Sequence, residues 1–301
     1  MTLLQWLLLA TLSVLWGGSF FFVELLLETL PPLTIVTLRV AIAAMVLWPV
    51  VITRGLPLPN NAAAWGALAI MALLNNVLPF SLIVWGQTGI SGGLASILNA
   101  TTPVFTVVVA AVFLADERIT VGKALGVLLG VVGVIVMIGF DALLEMRSSV
   151  LSQLAVLAAS LSYAFAATYG RLYLGNGMPA LVIAAGQVSM SALLLAPAAL
   201  IIESPLSLPA PSANTWAVLL ALAVLSTAAA YQLYFWLLAR AGATNTSLVT
   251  VLVPVSAVVL GWLFLDETLT AKHIVGMSII GAGLVALDGR LFRRRRADTA
   301  D

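Results

Sequence analysis

Long apolar runs, separated by short polar, glycine-rich and proline-rich breaks, organise the whole of this chain. A bilayer span needs about 20 mostly apolar residues, because its backbone must satisfy its own hydrogen bonds across ~30 Å of hydrocarbon. Ten such runs can be laid down: Leu3 to Leu27, Leu33 to Thr53, Ala62 to Trp85, Gly92 to Ala115, Gly122 to Phe140, Val150 to Tyr173, Pro179 to Ile202, Asn214 to Ala239, Thr244 to Leu265 and Lys272 to Gly289. Turn-forming residues fill the breaks, as at Pro31-Pro32, at Gly55 with Pro57 and Pro59, at Gly175 with Gly177 and Pro179, and at Pro205, Pro209 and Pro211. The pattern predicts an all-α, polytopic membrane protein of ten transmembrane helices in a lipid bilayer.

Composition agrees. Of 301 residues 62% are hydrophobic and 8% charged, against roughly 25% charged in an ordinary soluble domain. A net charge of +1 gives no reason to propose nucleic acid as a partner. With no cysteine and a single histidine, His273, disulfides, cysteine nucleophiles and metal clusters drop out, so neither metal nor cofactor is expected. The N-terminus has no basic stretch or small-residue cleavage site, and its apolar run reads as a retained first span.

The two halves repeat each other. An offset of 151 residues aligns Trp65 with Trp216, Trp85 with Trp236, Ser96 with Ser247 and Pro103 with Pro254. After a one-residue slip Asp116-Glu117 falls on Asp266-Glu267, and Gly126, Gly133 and Gly139 on Gly276, Gly283 and Gly289. Near the start of each half an offset of 148 pairs Pro31 with Pro179. Five spans per copy is an odd number, so the second copy enters the membrane from the opposite side. Residues 1–147 and 148–290 are thus expected as inverted five-helix repeats, followed by a basic tail over 291–301. Such repeats put a substrate site near the midplane and give alternating access when the halves exchange conformations. With the N-terminus inside, ten lysines and arginines fall on the inner side, including Arg54, Arg118, Lys123, Arg171, Arg240, Arg290 and the tail, against Arg147 and Lys272 outside. The positive-inside rule then makes both termini cytoplasmic.

Trp16-Gly17-Gly18-Ser19 in the first span, Arg39 after Pro31-Pro32, and Pro103 followed by Asp116-Glu117, repeated as Pro254 with Asp266-Glu267, resemble the ten-helix EamA branch of the drug/metabolite transporter superfamily. The likeness runs to about Gly289 and is greatest to amino-acid and metabolite exporters, the YddG-type aromatic amino-acid exporters among them. It implies a transporter in a bacterial inner membrane, monomeric or homodimeric, that carries a small-molecule substrate.

Deep polar residues are costly in hydrocarbon and usually face the bundle interior or a cavity. The third run carries Asn75, Asn76 and Ser81, and the eighth Ser226, Thr227, Tyr231, Gln232 and Tyr234. Asn99 and Thr102 precede Pro103, and Thr250 precedes Pro254. Trp16 and Tyr163 offer deep aromatic surface. A substrate cavity lined by Trp16, Asn76, Asn99, Thr102, Tyr163, Tyr231 and Thr250, without a full charge, would suit apolar or aromatic amino acids and flat organic cations. Interhelical hydrogen bonds worth ~0.6 kcal/mol apiece are the plainer account of the same residues. Pro103 and Pro254 are expected hinges. Glu24 and Arg39 flank the turn at Pro31-Pro32 at similar depth, which predicts an ion pair joining the first two spans, with a gating or substrate-carboxylate role for Arg39 as the alternative. Gly122, Gly126 and Gly130 are spaced for close helix packing, within the chain or at a dimer seam.

Transport down the substrate's own gradient is the leading expectation, since Thr11, Leu12 and Ser13 stand where small multidrug exporters of the wider superfamily keep a mid-membrane glutamate. A proton-coupled antiporter and, from another class, an intramembrane lipid-modifying enzyme are the alternatives. An enzyme would want a catalytic dyad, and no span pairs His with Ser or two deep carboxylates.

Overall fold

The computed structural model describes residues 2–115, 120–138, 148–174, 177–246 and 248–288. Asp116, Glu117, Arg118, Gly139, Arg147, Gly175, Ser247, Gly289, Arg290 and the basic tail lie outside them. All regular structure among the described residues is helical. The apolar helices are α1 (Leu3–Leu27), α2 (Pro32–Thr53), α3 (Ala62–Gly86), α4 (Gly92–Phe113), α5 (Val121–Ile138), α6 (Ser148–Tyr169, prolonged by Gly170–Leu174), α7 (Ala180–Ile202), α8 (Ala213–Ala241), α9 (Val249–Phe264) and α10 (Ala271–Asp288). Seven are long and apolar enough to cross a membrane, and α5, α9 and α10 are shorter. α9 is short because Ala243–Thr246, the first turn of the expected run, is set apart from it by a turn at Leu248.

Local chemistry sets the starts. The Thr2 hydroxyl accepts from the Gln5 amide while the Gln5 side chain accepts from Thr2, a capping box that satisfies two orphan donors. Asn61, Ser91 and Ser212 each accept from a backbone N–H three residues on, opening α3, α4 and α8. Pro32 stands in the first turn of α2, where its missing N–H costs nothing.

Packing follows a repeated scheme. α1 lies against α9 and α8, α6 against α4 and α3, α2 against α7, and α5 against α10. A Cβ on Gly133 of α5 would stand 2.8 Å from the Gly276 carbonyl oxygen, and one on Gly283 of α10 would stand 2.9 Å from that of Gly126. The contact is therefore reciprocal and antiparallel, and only glycine allows it. Gly130 meets Val104 of α4 instead, so the glycine spacing serves packing inside the chain. Gly17 of the Trp16-Gly17-Gly18-Ser19 motif likewise lets α9 approach α1, with the Ala257 nitrogen 2.8 Å from where its Cβ would be.

Two apolar cores result. One joins α2 and α7 with the middles of α3 and α8, and the other joins α1, α4, α6 and α9. Large apolar side chains such as Val112, Val121 and Ile201 stay on the outer surface, as a bilayer solvent requires.

Candidate functional site

The helical hydrogen-bond ladder widens to π geometry over Leu73–Val77 in α3, Gly170–Leu174 after α6 and Ala221–Ala229 in α8. A π bulge shifts side chains and frees carbonyls, and it recurs at functional sites. The bulges of α3 and α8 hold Asn75, Asn76, Ser226 and Thr227, so these polar groups stand where a regular helix would spread them differently. Ser162 of α6 donates to one of the displaced carbonyls, Leu74, at 2.7 Å.

A buried polar cluster links these bulges to α2 and α7. Tyr231 donates its hydroxyl to Asn76 Oδ1 at 3.1 Å, and Asn76 donates to Ser191 Oγ at 3.1 Å. Asn75 donates to Gln187 Oε1 at 3.1 Å and reaches the Tyr231 oxygen at 3.5 Å. Arg39 donates from Nε to Thr227 Oγ1 at 2.9 Å, and its guanidinium carbon lies 4.0 Å from the centre of the Phe80 ring. Tyr163 and Tyr231 pack on the same apolar core as Phe80. Asn76 is fully buried and Arg39 is 6% exposed.

The expected lining is thus brought together only in part. Asn76, Tyr163 and Tyr231 meet in this cluster. Trp16 sits beside Tyr234, with ring centres 5.4 Å apart, on the α1 side of the bundle. Asn99 faces α6, where the Ser160 hydroxyl is 3.5 Å from its Oδ1. Thr102 bonds the Asn99 carbonyl at 2.7 Å, so its hydroxyl closes a gap in the backbone of α4. Thr250 is half-buried at the start of α9. Gln187 and Ser191 were not anticipated. The 148-residue offset that pairs Pro31 with Pro179 also lays Gln187 over Arg39, and that was the available signal.

Two expectations are corrected. Glu24 and Arg39 make no ion pair: Arg39 points to α8, while Glu24 accepts the Gly92 N–H at 2.7 Å. Depth was shared, but α1 packs on α9 and α2 on α7, so the two side chains leave their hairpin in different directions. In consequence the central cluster contains a full positive charge, contrary to the neutral site foreseen. Of the two expected hinges, Pro103 lies just after a break in its helix. α4 is interrupted at Ala100 and Thr101, and Pro103 opens the following segment, Thr102–Phe113, whereas Pro254 lies inside α9.

One end of the bundle is fastened by carboxylates on helix N-termini. Besides Glu24 on Gly92, Glu267 accepts from the neighbouring Gly93 N–H at 3.1 Å. Glu203 at the end of α7 takes the Leu33 and Thr34 amides and the Thr34 hydroxyl at 2.8, 2.7 and 2.8 Å. Asp266, at φ 52°, supplies the left-handed turn just before Glu267. At the opposite end a cleft of about 510 Å³ opens between the α2–α3 connection and the α6–α7 connection, lined by Leu58, Asn60, Ala64, Ala67, Tyr173 and Met178 among others.

The polar cluster thus lies between helices of the first and second halves of the chain. The family is identified by its sequence model: the EamA-like transporter family matches residues 4–139 and again 150–287, so the chain belongs to that family and is a membrane transporter. It is 26% identical to the transporter YoaV of Bacillus subtilis (strain 168) over 286 residues, covering 95% of this chain and 97% of that one. It is 27% identical to the inner membrane transporter YedA of Escherichia coli (strain K12), covering 94% and 91%. It is 29% identical to a probable terminal-alkyne amino-acid exporter of Streptantibioticus cattleyicolor, covering 98% and 96%. A crystal structure superposes with a TM-score of 0.66 at 20% identity over 96% of this chain and 97% of its own, a likeness of fold.

Proposed function

We propose that this transporter exports small amphipathic metabolites, above all amino acids with apolar or aromatic side chains as the YddG-type exporters do, by alternating access between two inverted repeats, residues 1–147 and 148–290. The observation that carries the reading is the hydrogen-bonded cluster on the π bulges of α3 and α8, because buried polar groups beside paired helix discontinuities suit a substrate path. Asn76, Tyr163 and Tyr231 form the wall of the site, and Trp16, Asn99 and Thr250 extend it toward α1, α4 and α9. Supporting the repeats are the two matches of the family model and the antiparallel, reciprocal α5–α10 contact. The amino-acid exporter among the relatives supports the substrate class. Arg54, Lys123, Arg171 and Arg240 share one end of the bundle, which favours cytoplasmic termini in a bacterial inner membrane. The break before Pro103 and the interior Pro254 provide hinges in α4 and α9. The central cluster has no carboxylate or imidazole among its described members, so flux follows the substrate's own gradient.

The test is counterflow of labelled leucine, phenylalanine and tryptophan into proteoliposomes holding the purified chain. Asn76→Ala and Tyr231→Ala should each cut flux by about 10-fold, the loss of one buried hydrogen bond to substrate or site, while the protein still elutes as a folded species. Wild-type flux in both variants would reject the site, and strong uphill accumulation driven by an imposed pH gradient would reject the uncoupled mechanism.

A further inference from the structure

Arg39 is the one full charge in the central cluster among the described residues, and its surroundings do not neutralise it. A guanidinium stays charged in any protein environment, and burying it without a counter-ion is expensive. Yet its partners are neutral: the Thr227 hydroxyl and the Phe80 ring face. The bond to Thr227 uses Nε alone, and no hydrogen bond from the two terminal nitrogens is found among the described residues. Those nitrogens form the planar fork that fits a carboxylate through two parallel hydrogen bonds.

Geometry fixes the fork firmly. The Nε bond to α8 and the ring contact with α3 hold the group from both bulged helices at once. The other members of the cluster, Asn75, Asn76, Gln187 and Tyr231, present amide and hydroxyl oxygens suited to an ammonium group or a neutral polar one. Tyr163 and the stacked Tyr231 and Phe235 supply apolar surface beside them.

Resting on the transporter reading above, we infer that Arg39 anchors the carboxylate of the transported solute, so that the substrates are monocarboxylates with an apolar body, α-amino acids included, and organic cations are rejected. The missing counter-ion of Arg39 is then the cargo itself. A phosphate dianion would call for a second cation, and none stands in the cluster among the described residues.

The test compares acids with their amides. Binding of leucine and phenylalanine is measured against leucinamide and phenylalaninamide, by thermal stabilisation of the full-length protein in detergent and by inhibition of counterflow in proteoliposomes. Wild-type protein should prefer each acid by about 10- to 100-fold, the range of a charge-assisted hydrogen bond. Arg39→Gln should bring the ratio near one, and Arg39→Lys should keep part of it. A residue that only braced α2 against α3 and α8 would lower the affinity for acid and amide alike and leave the ratio unchanged. Equal affinities in wild type, or a ratio preserved in Arg39→Gln, would overturn the assignment. The wild-type ratio decides even where Arg39→Gln does not fold. Movement of the amides with exclusion of the acids would overturn the carboxylate anchor while leaving the transporter reading intact. No binding or movement of either class would overturn both.

Discussion

Where α1 turns into α2, helices are held to one another by carboxylates seated on helix N-termini, with Glu24 and Glu267 on the first amides of α4 and Glu203 on those of α2. At the other end a cleft reaches up to Ala67 of α3, and the next residue, Leu68, packs fully buried on Gly186, the neighbour of Gln187. A helix start has four amides to satisfy and a positive dipole end, so a carboxylate there makes a directional bond that water can take over when the helices part. An apolar contact has no such substitute. The acidic end is therefore held by bonds that water can replace, whereas toward the basic end the Leu68–Gly186 contact is the apolar seal, with α2 tied to α7 by the Trp48 hydrogen bond to Ser189 at 2.8 Å. For an alternating-access carrier this means that the two gates respond to different substitutions.

The largest effect belongs to the packed end. Leu68→Ala removes a fully buried side chain and should cost about 2–5 kcal/mol of stability. Because the cavity left behind adjoins the cleft, a cysteine placed at Ala72, one turn deeper, should become reactive to a water-soluble maleimide in the Leu68→Ala background and stay protected in the parent. The chain has no cysteine of its own to confuse the readout. Equal protection in both backgrounds would mean that Leu68 does not separate the cleft from the cluster.

Leu68 illustrates what the sequence could and could not convey. Nine of ten helices begin and end within about two residues of their apolar runs, because a bilayer span is specified by length and hydrophobicity, which can be counted directly. The turn at the start of α9 follows the polar stretch Thr244-Asn245-Thr246-Ser247, a signal that the expected ninth run had absorbed into the span. Asn76 and Tyr231 were visible as deep polar residues, and their hydrogen bond is the direct result. Rotation about the helix axis was not visible. Depth alone suggested that Glu24 faces Arg39, yet which neighbour each helix packs on decides where its side chains point. Gln187 escaped for a related reason: an isolated glutamine in an apolar run gains meaning only once the first-half offset of 148 sets it opposite Arg39.

A smaller effect is expected at the acidic end from Glu203→Ala, which strips three donors of α2 of their acceptor. These donors lie at a helix terminus, where water can replace the carboxylate, so the cost should be about 1–3 kcal/mol, read as a lower unfolding midpoint in detergent. The same variant should raise maleimide labelling of a cysteine at Thr34. A midpoint equal to that of the parent would show that the α7–α2 clasp contributes nothing to closure.

The smallest effect separates two terms at the start of α4. Glu24 and Glu267 bond to consecutive amides and repel one another, while each is attracted to the same helix terminus. A single Glu24→Gln or Glu267→Gln change keeps an oxygen to accept the backbone bond, loses one charge–dipole attraction of about 0.3–1 kcal/mol, and at the same time removes the repulsion. The second change loses the other attraction with no repulsion left to relieve. The double variant should therefore be less stable than the sum of the two single effects, by an amount equal to the repulsion, on the order of 0.5–1 kcal/mol. Added salt should shrink that excess if the pair is water-accessible. Strict additivity of the three unfolding midpoints at low salt would show that the two carboxylates do not share the terminus, and that each fastens its own helix to α4 independently.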